Sequence, residues 1–495
     1  MENIILSKNI IKNRKKWLQI HFCVSLLILL LIEVAQIDAY NELFIIYALW
    51  QIFVYGRLLF SELRYPGLNI IAVFFVGALM TVAIPSYTYA IDMLNGGKVY
   101  CDEDSNEITH FVFHTATAMN IYYSLFMFLF TMFSGSKMFI VDIKEVAKRF
   151  NLFSLSIFVY ALSSILRVIP FLELISSTLA HLAESLPMLV LLLLAIYCGF
   201  CSQKDKYYTL FVILIITEIT YNMLFGYYKG TVLRVAAMYI VYYYLYCRTN
   251  NIRLISFKTV GIVILFMTFM MYIVYPFITI KRIESNYTAS NDKTIITDVD
   301  NFDIMKRVIT GDYRIFEDKG TGNAVADRMS AISPNAFFYQ DAYFYGYHSD
   351  MLIMSFKKMI PRFLWSAKPT GSSGMMAKNY LLYRSFDKDA DSSAYVGLFA
   401  SSYFIGGWLW VILMCFINAW FIAYVMRICF SHLGNFFSWM VIFFMTFSFM
   451  RCFEEMSDGG FSGNVMYLVY SLIIYITSAF TSIKKKTWKS KILKF

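Results

Sequence analysis

The chain has 495 residues, of which 59% are hydrophobic, 19% aromatic and only 15% charged, with a formal net charge of +10. An ordinary soluble domain carries roughly 45–50% apolar and about 25% charged residues, so this chain cannot cover itself with polar surface. That excludes a soluble enzyme, a disordered scaffold and a free nucleic-acid binder, because the positive charge sits on short segments between long apolar runs.

A membrane-spanning helix needs about 20 apolar residues. Twelve runs qualify in chain order: 18–37, 43–60, 68–91, 110–133, 152–172, 179–201, 207–226, 231–247, 258–280, 407–426, 436–453 and 464–483. Lys8, Lys12, Arg14, Lys15 and Lys16 precede the first run as they would in a signal peptide, but a full-length run without a small-residue cleavage site predicts a retained helix. Lys and Arg gather in alternate short loops. With a cytoplasmic N-terminus the inner loops hold Arg64, Lys137, Lys144, Lys148, Arg149, Lys204, Lys206, Arg248, Arg253, Lys258 and Arg427, against Lys98 and Lys229 in the short outer loops. Lys484, Lys485, Lys486, Lys489, Lys491 and Lys494 place the C-terminus inside as well.

The membrane domain 1–280 is followed by a long, nearly neutral outer loop, 281–393, and a second membrane segment, 394–495. The polar first half of the loop, 284–330, is expected to be loosely ordered. In the second half, Ser349 or Asp350 can cap a helix near 349–362, with Leu352, Phe356, Met359, Ile360 and Phe363 at helical spacing. Lys357, Lys358 and Arg362 give it a basic face and Trp365 an anchor at headgroup depth, the pattern of an interfacial helix. Residues 394–406 are apolar but short, and Gly397, Gly406 and Gly407 suit a re-entrant piece. There is no internal repeat. Cys198 and Cys201 form a lone CxxC that reads as coincidence at a helix end, and the eight cysteines define no disulfide framework.

A charge inside a span costs about 2.5–3.5 kcal/mol, so such residues mark functional candidates. Arg167, Arg234 and Arg451 lie on three runs near the outer face, with Arg282 just beyond the ninth. Singly each reads as a snorkelling or paired arginine; together they suggest a shared anion site, since guanidinium forks make paired hydrogen bonds to diphosphate. Acid–base candidates at the same face are Glu33, His181, Glu184, Glu454, Glu455, His348 and Asp350. Glu454 and Glu455 could equally pair with Arg451. Asp298-Val-Asp300 and Asp389-Ala-Asp391 imitate a metal-binding DxD, but they fall in the outer loop without a His and Cys cluster, so no metal and no cofactor is assigned. Phe337, Phe338, Tyr339, Tyr343, Phe344, Tyr345 and Tyr347 suit either sugar or isoprenoid contact or a membrane interface.

With many runs, both ends inside and one large late outer loop, the chain resembles the Wzy-type polysaccharide polymerases. The segment Ile360-Pro361-Arg362-Phe363-Leu364-Trp365-Ser366-Ala367-Lys368-Pro369 is similar to the Pro-Arg-x-Leu-Trp-x-x-Lys-Pro stretch of that family, and Lys229-Gly230-Thr231-Val232-Leu233-Arg234 to its Gly- and Arg-bearing helix start. The resemblance implies an all-α polytopic protein of the bacterial plasma membrane, GT-C-like, with about 12 transmembrane helices. It implies a metal-independent glycosyltransferase that joins undecaprenyl-pyrophosphate-linked oligosaccharide repeat units into O-antigen or capsule, with membrane lipid and a chain-length regulator as partners. The arginines would then hold the pyrophosphate, Arg362, Trp365 and Lys368 would contact substrate, and Glu454, Glu455 or His348 would act as base. An O-antigen ligase and a lipid-linked oligosaccharide flippase are the rival readings.

Overall fold

The computed structural model describes residues 2–35, 40–64, 68–101, 106–135, 140–141, 152–168, 177–201, 206–224, 229–250, 252, 269–274, 276–278, 280–281, 301–310, 331–349, 352, 397–432, 435–453, 464, 468–469 and 471–478. These residues are helical apart from two short antiparallel pairings, β1 (Leu68–Asn69) with β4 (Ile140–Val141) and β2 (Tyr100–Cys101) with β3 (Asn106–Glu107). Among the described residues six helices are long and apolar enough to cross a membrane: Lys8–Val34, Asn41–Glu62, Ile70–Leu94, Thr109–Ser134, Lys206–Leu224 and Leu398–Ser431. The protein is therefore an all-α membrane protein. Contacts divide it into two bodies, Met1–Val141 with Asn323–Phe495, and Asp142–Gly322.

In the first body α1 (Glu2–Ala35), α2 (Tyr40–Glu62), α3 (Ile70–Ala78) continued by a π-helical turn into α4 (Ile84–Leu94), and α5 (Thr109–Ser134) alternate in direction. Side-chain bonds show the alternation level by level. Arg14 of α1 meets Glu62 at the end of α2, while Ser25 meets Tyr47 and His21 meets Asn120 halfway along. Asn41 near the start of α2 donates to the Met93 carbonyl near the end of α4. Arg14 and Glu62 mark the proximal end of the bundle, and the opposite end is the distal one.

Many polar groups of these apolar helices find partners inside the bundle, which a lipid environment favours. Thr117, Asn120, Thr131 and Ser134 of α5 bond back to carbonyls four residues earlier. At the proximal end the Arg14 guanidinium donates to both Glu62 oxygens, at 2.6 and 2.8 Å, and Asn69 Nδ2 donates to Glu62 Oε2 at 2.7 Å. Arg14 belongs to the basic head ahead of the first run, yet it is buried here as a structural ion pair. A second polar layer lies at mid-depth. Trp50 Nε1 donates to His21 Nδ1, so His21 carries its proton on Nε2, which faces Asn120 Oδ1 at 3.2 Å; Tyr55 donates to the same oxygen. Leu18, Leu58 and Met127, all buried, fall between the two layers along their helices.

The large loop does not stay outside this bundle. Pro85 has no N–H to donate to the Thr81 carbonyl four residues back, and the π-helical turn Leu79–Ala83 sits at that point. The Thr81 carbonyl accepts from Ala331 N at 3.0 Å, near the middle of Ile70–Leu94. From there α11 (Ile332–Tyr345) leads to the distal end of α5, with Tyr339, Tyr343 and Phe344 against Phe111. Asn335 Oδ1 accepts from Gly397 N, which precedes α12 (Leu398–Ser431). This helix is broken at Gly406 and Gly407 (φ +64°), so Leu398–Ile405 forms a separate two-turn piece ahead of the long span. A Cβ on Gly407 would lie 2.5 Å from the Tyr347 ring and hydroxyl, so the glycine serves both its left-handed backbone and the close approach.

Further along this body, α13 (Phe436–Met450) has 15 residues. At 1.5 Å per residue it is about 22 Å long, short of a hydrocarbon core of about 30 Å. It ends beside Gly77, in left-handed Cys452 and Phe453.

The second body contains α6 (Leu152–Val168), α7 (Ser177–Cys201), α8 (Lys206–Leu224), α9 (Lys229–Thr249) and α10 (Asn301–Thr310). The last of these lies in the loop's polar first half. Its Ile304 and Val308, one turn apart, are buried with Val274, Phe277 and Ile278, so this part of the loop is not uniformly irregular. The ninth run, the interfacial helix near 349–362 and the basic tail lie wholly or largely outside the described residues.

Candidate functional site

Four elements build the distal mouth of the first body: the end of α1, the start of α5, α11 with the residues after it, and the Leu398–Trp408 segment. Tyr343 Oη donates to Glu33 Oε2 at 3.2 Å, and His114 Nδ1 lies 3.7 Å from Glu33 Oε1. His114 is largely buried and its Nδ1 makes no hydrogen bond to the protein. The charge of Glu33, above all, pushes the Tyr343 hydroxyl above its ordinary pKa, so it remains a donor. Tyr339 is fully buried, with its ring 4.5 Å from Tyr403, 5.6 Å from Phe399 and 6.4 Å from His114. Its hydroxyl has no protein partner. Tyr403 in turn meets Tyr347 and Trp408, while Tyr343, Phe344, Tyr345 and Tyr347 are exposed.

His348, a candidate base from the sequence, stands beside this cluster. Its Nε2 faces Asp341 Oδ2 at 3.3 Å, its ring stacks on Phe404 at 4.3 Å, and its backbone N donates to the Phe404 carbonyl. These contacts fasten the turn after α11 to the broken helix.

The arginines are divided between the two bodies. Arg167 donates to both oxygens of Glu218, at 2.8 and 3.2 Å, and its guanidinium lies over Tyr221. Glu218 is fully buried, so this is a paired intramembrane arginine within the second body. Arg234 lies near the start of α9 in the same body, as His181 and Glu184 lie near the start of α7. Arg451 belongs to the first body. It closes α13, its N–H bonded to the Phe447 carbonyl, and it follows Met450 at the contact with Gly77, inside the bundle rather than at the distal rim. Arg282, Asp350, Arg362, Trp365, Lys368, Glu454 and Glu455 lie outside the described residues.

The sequence marks Glu33 as a candidate but reveals neither its neighbours His114, Tyr339 and Tyr403 nor Glu218 as the partner of Arg167. Among the described residues no group of three or more His, Cys, Asp and Glu side chains is placed to hold a metal ion. Comparisons of the chain with models of known protein families, with curated proteins and with solved structures find no match.

Proposed function

We propose that the protein is a metal-independent membrane glycosyltransferase that polymerises undecaprenyl-pyrophosphate-linked oligosaccharide repeat units into O-antigen or capsular polysaccharide. The observation that carries this reading is the distal mouth, where a loop helix seated in a membrane bundle surrounds a carboxylate and an imidazole with aromatic rings. Aromatic faces bind sugar rings, and a carboxylate beside them can take a hydroxyl proton. A substrate held in the membrane by its lipid would present its sugars at this level. The sign of the short-loop charges assigns the distal end to the outer face and both termini to the cytoplasm, in a plasma membrane crossed about twelve times by a GT-C-like chain.

In this reading an acceptor hydroxyl attacks the anomeric carbon of the donor with inversion, and the lipid pyrophosphate leaves. The charge of the leaving group calls for arginine, whose planar guanidinium suits diphosphate. Arg167 contributes by holding its helix to Glu218. A lipid-linked oligosaccharide flippase is the second reading, favoured by the buried His21, Asn120 and Tyr55 layer, because polar side chains at mid-depth mark substrate paths.

Purified protein given lipid-linked repeat units should extend them in excess EDTA. Extension that stops in EDTA and returns with Mg²⁺ or Mn²⁺ would overturn metal independence; no extension under any of these conditions would overturn the polymerase.

A further inference from the structure

Resting on that reading, we propose that Glu33 is the base that deprotonates the attacking hydroxyl, and that Tyr339, Tyr343, Tyr347 and Tyr403 form the site for the terminal hexose of the acceptor. The base candidates named from the sequence were Glu454, Glu455 and His348. His348 is already engaged, with Nε2 on Asp341 and a ring face covered by Phe404. Glu33 differs in having one side anchored and the other open: its side chain is 37% exposed while Tyr343 and His114 stand against it. A carboxylate that must meet a substrate hydroxyl and afterwards release its proton to water needs that kind of exposure.

Two buried polar atoms beside it point to a ligand. Tyr339 Oη and His114 Nδ1 are both buried and both without a hydrogen bond to the protein. Leaving such a group unsatisfied costs about 1–3 kcal/mol. A hexose that parts these rings on binding would satisfy both with its hydroxyls, while the exposed faces of Tyr343 and Tyr347 cover its apolar side. The hydrogen bond from Tyr343 sets the direction of the Glu33 carboxylate, and His114 Nδ1 stands 3.7 Å away, beyond hydrogen-bond reach.

The acceptor oxygen forms a bond to the donor's anomeric carbon as its proton passes to a Glu33 oxygen, and the carbon–oxygen bond to the lipid pyrophosphate breaks with its electron pair on the pyrophosphate. Glu33 then gives the proton to water. The plain structural alternative is that the Tyr343 to Glu33 bond only pins α11 to α1.

Glu33→Gln separates the two, because an amide keeps the size and an acceptor for Tyr343 but cannot take a proton at this stage. With purified full-length protein and lipid-linked repeat units, Glu33→Gln should lower kcat by ~10²-fold or more, with KM for the acceptor within about threefold of wild type. Glu33→Asp, which withdraws the carboxylate by one methylene, should keep the fold and lose roughly tenfold in kcat. Tyr339→Phe should raise acceptor KM several-fold and leave kcat nearly unchanged, as expected for a contact made equally to bound substrate and transition state. Wild-type extension together with near-normal kcat in Glu33→Gln would overturn the assignment of Glu33 and leave the polymerase standing. A wild type that binds lipid-linked units but never extends them would overturn both.

Discussion

Gly77→Val should leave little or no folded protein after detergent extraction, and Gly77→Ala should fold with a clearly lowered thermal midpoint. A Cβ at this position would overlap the Met450 carbonyl oxygen and sit 2.7 Å from its carbon, and neither backbone atom can rotate away. Overpacking commonly costs about 1–3 kcal/mol when side chains can adjust, and more when backbone must move. Small residues let membrane helices approach in this manner. The consequence extends to function, since displacing Met450 displaces Arg451 and the left-handed turn Cys452–Phe453 with it. Size-exclusion profiles of fluorescently tagged protein after a heat step measure the effect. A Gly77→Val profile equal to wild type would contradict the packing described.

The second large effect concerns the proximal ion pair. Arg14→Ala leaves the fully buried Glu62 without its bidentate partner, and breaking such a pair from one side costs about 3–5 kcal/mol. Asn69 also loses a properly charged neighbour, which loosens the junction between α2 and α3. Replacing both members by apolar residues of similar volume, Arg14→Met with Glu62→Leu, should restore much of the lost stability, because no uncompensated charge remains. The same heat-step assay orders the three proteins: wild type and the double variant close together, Arg14→Ala far below. Equal midpoints for all three would mean that the pair holds nothing together.

Much of this architecture was legible in the hydropathy of the chain. The run at 43–60 became Tyr40–Glu62 and that at 110–133 became Thr109–Ser134, because twenty apolar residues have few other ways to satisfy their backbone in lipid. The depth of α11 was not legible. It depends on Pro85 sparing the Thr81 carbonyl for Ala331, a pairing across a large sequence distance that no periodicity reveals. The alternation of inner and outer loops places Arg451 near the outer face, whereas α13 stops at Met450 and its end packs on Gly77.

Two missed residues did leave a signal. Glu218 is a carboxylate in the middle of an apolar run, and an intramembrane acid implies a basic partner on a neighbouring helix, here Arg167. His114 opens a polar stripe, followed by Thr117, Asn120 and Ser124 at helical spacing, that marks the face α5 buries against α1 and α2. Glu33 was visible as an ionisable residue at a helix end, but its surroundings come from α5 and α11 together and only the fold assembles them.

The polymerase reading is tested most directly by a gel of surface polysaccharide from a strain that lacks this protein. The account predicts that the deletion strain carries its lipid anchor with a single repeat unit, and that wild-type protein, but not Glu33→Gln, restores the ladder of longer chains. An anchor bearing no repeat unit at all would contradict it, because that outcome belongs to a ligase or a flippase; a ladder unchanged by the deletion would remove the protein from polysaccharide assembly altogether.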